Sequence, residues 1–182
     1  MNRLVELCVR DTTVMKPKLL LCLALVLCGA LVYAAFLFIY QPSPVERLSG
    51  AAMQGNLDLL KTLEAKGVSL DAQNQHSFGW TPLMAAIFEQ QTNIITYLLT
   101  RNVNLNLQDT RGETALMLAI SIDDTNTVRL LLDKGADVTI TGKSGDAFAY
   151  VKTDDGNASA HRELYLEWLN AYKDKNKAST KP

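Results

Sequence analysis

The chain has few of the side chains that most enzymes use for chemistry. Its three cysteines, Cys8, Cys22 and Cys28, all lie near the N-terminus, and its two histidines are His76 and His161. The chain beyond Cys28 therefore has no thiol for catalysis or for a disulfide. Two histidines make no zinc site of ordinary ligand spacing and no Ser/His/Asp set. We expect no metal, no cofactor and no catalytic residue.

An excess of positive charge is also missing. The chain has 18 Lys and Arg against 19 Asp and Glu, and residues 41–172 are mildly acidic because basic residues gather before residue 19. Nucleic-acid-binding domains carry a basic patch or stripe, so the composition gives no support to that class. Gly142-Lys143-Ser144 resembles the end of a phosphate-binding loop, but Asp137 stands where the first glycine is needed. We expect neither nucleic acid nor a small-molecule substrate.

One long apolar run stands near the N-terminus, at residues 19–40. It has no charge, and as a helix it spans about 33 Å, enough to cross a bilayer. Residues 1–18 hold Arg3, Arg10, Lys16 and Lys18, which predicts a cytoplasmic N-terminus and a periplasmic domain. An uncleaved inner-membrane anchor is favoured over two alternatives, a lipoprotein signal acylated at Cys28 and a cleaved secretory signal. The translation start is Met1 or Met15.

An eight-residue motif occurs twice in the chain. Gly79–Ala86, GWTPLMAA, returns 33 residues later as Gly112–Ala119, GETALMLA. A fixed period of this size is typical of stacked repeats. Both copies resemble the ankyrin signature T-P-L-H-x-A-A, with Thr81 and Thr114 in the threonine position and Met84 and Met117 replacing the histidine. The resemblance implies a short first helix at each motif and a second helix after it.

These observations predict an all-α ankyrin repeat solenoid of about four helix-turn-helix units with hairpin loops, preceded by one membrane-spanning or signal helix. The predicted parts are a linker at 41–47, repeats at about 48–75, 76–108, 109–141 and 142–172, and a flexible tail at 173–182. The second repeat has two extra residues before Gly79, and the fourth ends in a helix near Ala160–Tyr172. The predicted core contains Leu83, Ala86, Leu98, Leu99, Leu116, Ala119, Leu131 and Leu132.

The resemblance also implies which residues contact a partner, because ankyrin proteins bind with their hairpin tips and the exposed face of each first helix. Carried over by position, the candidates are Phe78, Trp80, Phe88, Glu89, Gln108, Arg111, Glu113, Ile122 and Lys143. Four of these are large apolar residues, and leaving each in water forgoes about 1.5–3 kcal/mol of burial. Trp80, Phe78 and Arg111 are the leading contacts. The alternative is that Phe78 folds onto Trp80 as a local lid.

By resemblance of architecture, a non-catalytic protein-binding module at the membrane is expected. Small exported ankyrin proteins of bacteria include immunity proteins, among them those of type VI secretion, that neutralise a membrane-active toxin such as a secreted phospholipase. They also include periplasmic factors that support catalase-linked defence against oxidative stress. The immunity function is favoured because a neutraliser needs a membrane-proximal position and a preformed surface, and no chemistry.

Overall fold

In the computed structural model of the chain, residues 29–31, 33, 41–152 and 161–179 are described. The chain divides into two units, Met1–Pro42 and Ser43–Pro182. Cys28 and most of the predicted membrane segment 19–40 lie outside the described residues. None of the described helices has both the length and the hydrophobicity needed to cross a bilayer.

The described residues of the second unit form eight helices, which are arranged in four pairs. They are α1 (Pro44–Met53), α2 (Leu57–Ala65), α3 (Pro82–Phe88), α4 (Thr92–Thr100), α5 (Ala115–Ser121), α6 (Thr125–Asp133), α7 (Ala147–Lys152) and α8 (Arg162–Ser179). The first helices of successive pairs pack side by side, α1 on α3, α3 on α5 and α5 on α7. The predicted all-α repeat solenoid is confirmed.

The threonine of each motif starts a helix. The hydroxyl of Thr81 accepts a hydrogen bond from the backbone N–H of Met84, and that of Thr114 accepts one from the N–H of Met117. Such a cap satisfies one of the donors left free at a helix N-terminus. The Met117 sulfur in turn accepts a bond from the Thr114 N–H. The sequence motif is thus a helix-capping device, which explains its recurrence without any chemical role.

Small and branched apolar side chains fill the space between the helices. Paired alanines in the first helices, Ala51 and Ala52 in α1 and Ala85 and Ala86 in α3, are buried and let these helices approach closely. Larger side chains of the second helices fill the seams between repeats. All eight predicted core residues are buried, namely Leu83, Ala86, Leu98, Leu99, Leu116, Ala119, Leu131 and Leu132.

The chain turns at positions that recur from one repeat to the next. The turn inside each of the first three helix pairs has a left-handed residue, Gly55, Gln90 or Asp123. A second left-handed position ends the second helix, at Gly67, Asn102 and Gly135. A third lies in each hairpin loop, at Gly79, Gly112 and Gly145. Glycine holds two thirds of these nine places because it alone adopts positive φ without a steric penalty.

The last helix closes the array and is longer than expected. It begins at Arg162 and continues to Ser179, whereas the sequence predicted an end at Tyr172 and a flexible tail from residue 173. The error has a physical reason, since the polar composition of residues 173–179 was taken for a tail although it contains neither proline nor glycine to stop a helix. Tyr165 and Leu169 of α8 are fully buried.

Candidate protein-binding surface

Three hairpin loops, at residues 74–80, 109–113 and 142–145, are joined into one continuous edge. The Thr110 N–H donates to the Phe78 carbonyl at 2.9 Å, and the Lys143 N–H donates to the Arg111 carbonyl at 3.0 Å. Side-chain amides repeat the link, because Gln73 donates to the Gln108 carbonyl at 2.7 Å and Gln108 to the Thr141 carbonyl at 3.1 Å. Each loop is therefore held by the next, and the edge forms a preorganised surface.

The first of these loops is two residues longer than its neighbours. Asn74 and Gly79 are its counterparts of Asp109 and Gly112, and Phe78 stands where the next loop has Arg111, directly before the glycine. The backbone of Phe78 is left-handed, with φ at +56°. Unlike the other left-handed positions, this one does not recur in the following repeats. A bulky residue in this region is strained, and strain of this kind is typical of functional sites.

Phe78, Trp80 and Phe88 form an aromatic stack. The rings of Phe78 and Trp80 are 5.9 Å apart between centroids, and those of Trp80 and Phe88 are 4.9 Å apart. Phe78 is 62% exposed and Phe88 is 47% exposed, but Trp80 between them is only 7% exposed. The expectation that Trp80 is left in water is therefore wrong. Its neighbours cover the indole, as in the lid interpretation, and both still present ring surface to solvent.

A buried carboxylate beneath the stack organises the second loop. Asp109 is buried, and its Oδ2 accepts hydrogen bonds from the Trp80 indole at 3.3 Å and from the Arg111 Nε at 3.2 Å. Its Oδ1 accepts two backbone N–H groups, of Arg111 at 2.8 Å and of Glu113 at 2.9 Å. Asp109 was not among the residues predicted from the sequence. The signal was Asn74 at the same place in the previous loop, since Asn and Asp both cap tight turns.

Arg111 connects this carboxylate to the surface. Its guanidinium lies 5.8 Å from the centre of the Phe78 ring and forms a salt bridge with Glu113 at 2.6 Å. Tyr150 donates to the other Glu113 oxygen at 2.7 Å. Burial, followed by this hydrogen bond, raises the pKa of the Tyr150 hydroxyl to about 12. Arg111 and Glu113 are thus fixed side chains at the edge of the stack.

The remaining predicted contacts divide into two groups. Lys143 and Glu89 are exposed, one in the third loop and one at the end of α3. The side-chain amide of Gln108 donates hydrogen bonds to the carbonyls of Gly112 and Thr141. Ile122 is half-buried against the core at the end of α5. The expectation that Ile122 is left in water is therefore wrong. The surface that remains consists of Phe78, Phe88, Arg111, Lys143 and Glu89.

A second polar cluster lies at the other end of the array. Asp123 accepts a hydrogen bond from the buried Tyr165 at 3.0 Å, and His161 lies 3.1 Å from its other oxygen. Asp124 caps α6 by accepting the Thr127 N–H. These two carboxylates hold helices in place. Within residues 29–31, 33, 41–152 and 161–179 no three ligand-type side chains converge on a common metal position.

Comparison with protein-family models supports the repeat architecture. The model described as ankyrin repeats (3 copies) matches residues 48–142, which is more than half of the chain. Comparison with curated proteins gives no match. The ankyrin family is typically non-catalytic and serves protein–protein interaction. With its capped helix pairs, its recurring turns and this match, the chain belongs to the ankyrin repeat family.

Proposed function

We propose that this protein captures one protein partner on the surface formed by Phe78, Phe88, Arg111, Lys143 and Glu89. The observation that carries the proposal is Phe78. The fold of this repeat does not need a strained, exposed phenylalanine directly before the loop glycine, since the next two hairpins do without one. Aromatic side chains and arginine supply most of the binding energy at protein interfaces, and Arg111 stands directly beside this ring.

The partner we propose is a membrane-active toxin, such as a secreted phospholipase, which the repeats bind and neutralise. Two features support an immunity protein. The uncharged run at 19–40 would hold the repeats at the membrane that such a toxin attacks. The joined hairpin loops make a surface that needs little rearrangement on binding, which is how a tight inhibitor limits its entropic cost.

The test is a competition between sister cells of the native host. A strain that lacks this gene should be killed by wild-type cells, and the full-length chain should restore survival. Phe78→Gly should fail to restore it while the protein stays as abundant as the parent, because glycine relieves the left-handed strain as the ring contacts are lost. Thr96→Ala, at an exposed position on α4 of the same repeat, is the matched control and should protect fully.

Survival of the deletion strain in mixed culture would overturn the immunity proposal. If the same strain instead became sensitive to peroxide, the alternative of a periplasmic factor in oxidative-stress defence would replace it. Full protection by Phe78→Gly would show that the partner docks elsewhere on the array.

We place the repeats on the periplasmic side of the membrane, behind an N-terminal anchor. This part of the proposal rests on the basic residues before residue 19 and the uncharged run that follows them. Alkaline phosphatase fused after Pro182 should be active and β-galactosidase at the same place inactive. The reverse result would contradict the orientation.

In the same strain Cys28→Ala should leave the size of the protein unchanged, whereas a lipoprotein would lose its acyl group and its processing.

A further inference from the structure

Residues next to the two ends of the aromatic stack carry charges of opposite sign, and neither has an ion-pair partner among the described residues. At the Phe78 end the Lys143 ammonium donates to the Thr110 carbonyl at 3.0 Å, and the Thr110 N–H donates to the Phe78 carbonyl. One residue thus separates the ammonium from the backbone of Phe78. At the other end, Glu89 directly follows Phe88 and is exposed at the end of α3.

Neither charge is neutralised within the part of the chain that the structure describes. Lys143 has one backbone carbonyl as its acceptor and no carboxylate within 4.0 Å, and Glu89 has no cation within that distance. Arg111 differs, because Asp109 and Glu113 both pair with it. Arg111 is therefore held beside the Phe78 ring by its own ion pairs, while Lys143 and Glu89 can pair with charged groups of a bound partner.

Opposite charges at the ends of an apolar strip select both the composition and the direction of what binds there. An ammonium attracts a carboxylate and a carboxylate attracts a cation, and the reversed orientation brings like charges together, which is unfavourable. The exposed rings of Phe78 and Phe88, on either side of Trp80, offer contact to apolar side chains. The free donors of Lys143 add one hydrogen-bonding position for a carboxylate at the edge of that contact.

We infer that the surface binds a peptide segment of the partner in which apolar residues have an Asp or Glu on one side and a Lys or Arg on the other. The acidic residue pairs with Lys143, the apolar residues cover Phe78 and Phe88, and the basic residue pairs with Glu89. This inference rests on the proposed protein-binding function, and it adds the chemistry of the bound segment and its direction.

The probe that tests the inference is a phage-displayed library of random dodecapeptides, selected on the full-length chain in mild detergent. Peptides whose capture is lost in Phe78→Gly should contain apolar residues with an acidic residue on one side and a basic residue on the other. All of these peptides should have the same order of the two charges along the chain. Lys143→Glu should weaken binding of such a peptide about three- to tenfold, and a matching change of its acidic residue to Lys should restore binding. Lys66→Glu, an exposed lysine at the end of α2, should have no effect.

The outcomes separate the inference from the proposed function. Peptides that depend on Phe78 but lack flanking charges, with binding unchanged in Lys143→Glu and Glu89→Lys, would overturn the inference and leave the proposed function standing. A selection with no Phe78-dependent peptide would count against both. Binding of the chain to phosphatidylglycerol vesicles that disappears in Phe78→Gly would assign the surface to lipid and overturn the peptide inference.

Discussion

Phe78 and Trp80 are two residues apart in the chain, but Trp80 is buried and Phe78 is exposed. Trp80 is buried by the rings on either side of it, and its indole N–H donates to the buried Asp109. Phe78 is exposed and strained, and the residue at its place in the next loop, Arg111, has an ordinary backbone. The binding role of Phe78 stays a prediction, whereas Trp80 belongs to the core that supports it.

Trp80→Ala should destabilise the protein strongly. Its truncation opens a cavity between Phe78, Phe88 and Asp109, and a buried tryptophan replaced by alanine loses about 3–5 kcal/mol of unfolding free energy. Urea unfolding of the full chain, followed by circular dichroism, measures the loss. Phe88→Ala is the comparison, because that ring is 47% exposed and should lose clearly less. Equal stability of Trp80→Ala and the parent would contradict the packing described for the indole.

The hairpin loops of neighbouring repeats contact one another through their backbones. A side chain at Gly142 would place its Cβ 2.5 Å from the Gly112 carbonyl oxygen. The absence of a side chain lets the third loop come close enough for the Lys143 N–H to reach the Arg111 carbonyl. In the middle of α1, by contrast, a Cβ at Gly50 would meet no atom within 4 Å.

Two glycine-to-alanine substitutions should therefore change the free energy of unfolding in opposite directions. Gly142→Ala forces two backbones apart and should lower the free energy of unfolding by about 1–3 kcal/mol. Gly50→Ala adds a better helix former in free space and should raise it by about 0.5–1 kcal/mol. Thermal unfolding of both full-length variants against the parent measures the pair. Stabilisation by Gly142→Ala would mean that the loops do not approach as closely as described.

The repeats described in the second unit form an array whose two ends differ. At the N-terminal end Ser43 and Glu46 form a capping box on α1. Hydrogen bonds from the Ser43 backbone N–H and then from its side chain hold the pKa of the Glu46 carboxyl below its usual value. At the C-terminal end the ladder of glutamine amides stops, because Thr141 stands where Gln73 and Gln108 stood. The buried Tyr165 of α8 covers the last repeat instead. A covered last repeat keeps an array from stacking further at that end, and the hairpin edge remains available for a partner.

Much of this architecture was readable from local sequence alone. A residue and its neighbours in the chain are enough to predict the capping threonines, Thr81 and Thr114, and the buried alanines and leucines. These features recur with a period of 33 residues. Helix caps and helix periodicity are short-range effects, so they leave a regular trace that repeats with the units. Family and fold could therefore be predicted before any coordinate was known.

The composition of the surface was decided only by tertiary structure. Trp80, Phe78 and Phe88 are all large aromatics near one motif, and no pattern in the sequence tells which one is covered. The answer depends on Asp109, which lies 29 residues further along the chain and holds the indole inward. The contact of Arg111 with the Phe78 ring and the position of Lys143 beside Thr110 likewise depend on loops that are distant in sequence. Burial and charge pairing are properties of neighbours in space, and the stacking of the repeats brings those neighbours together.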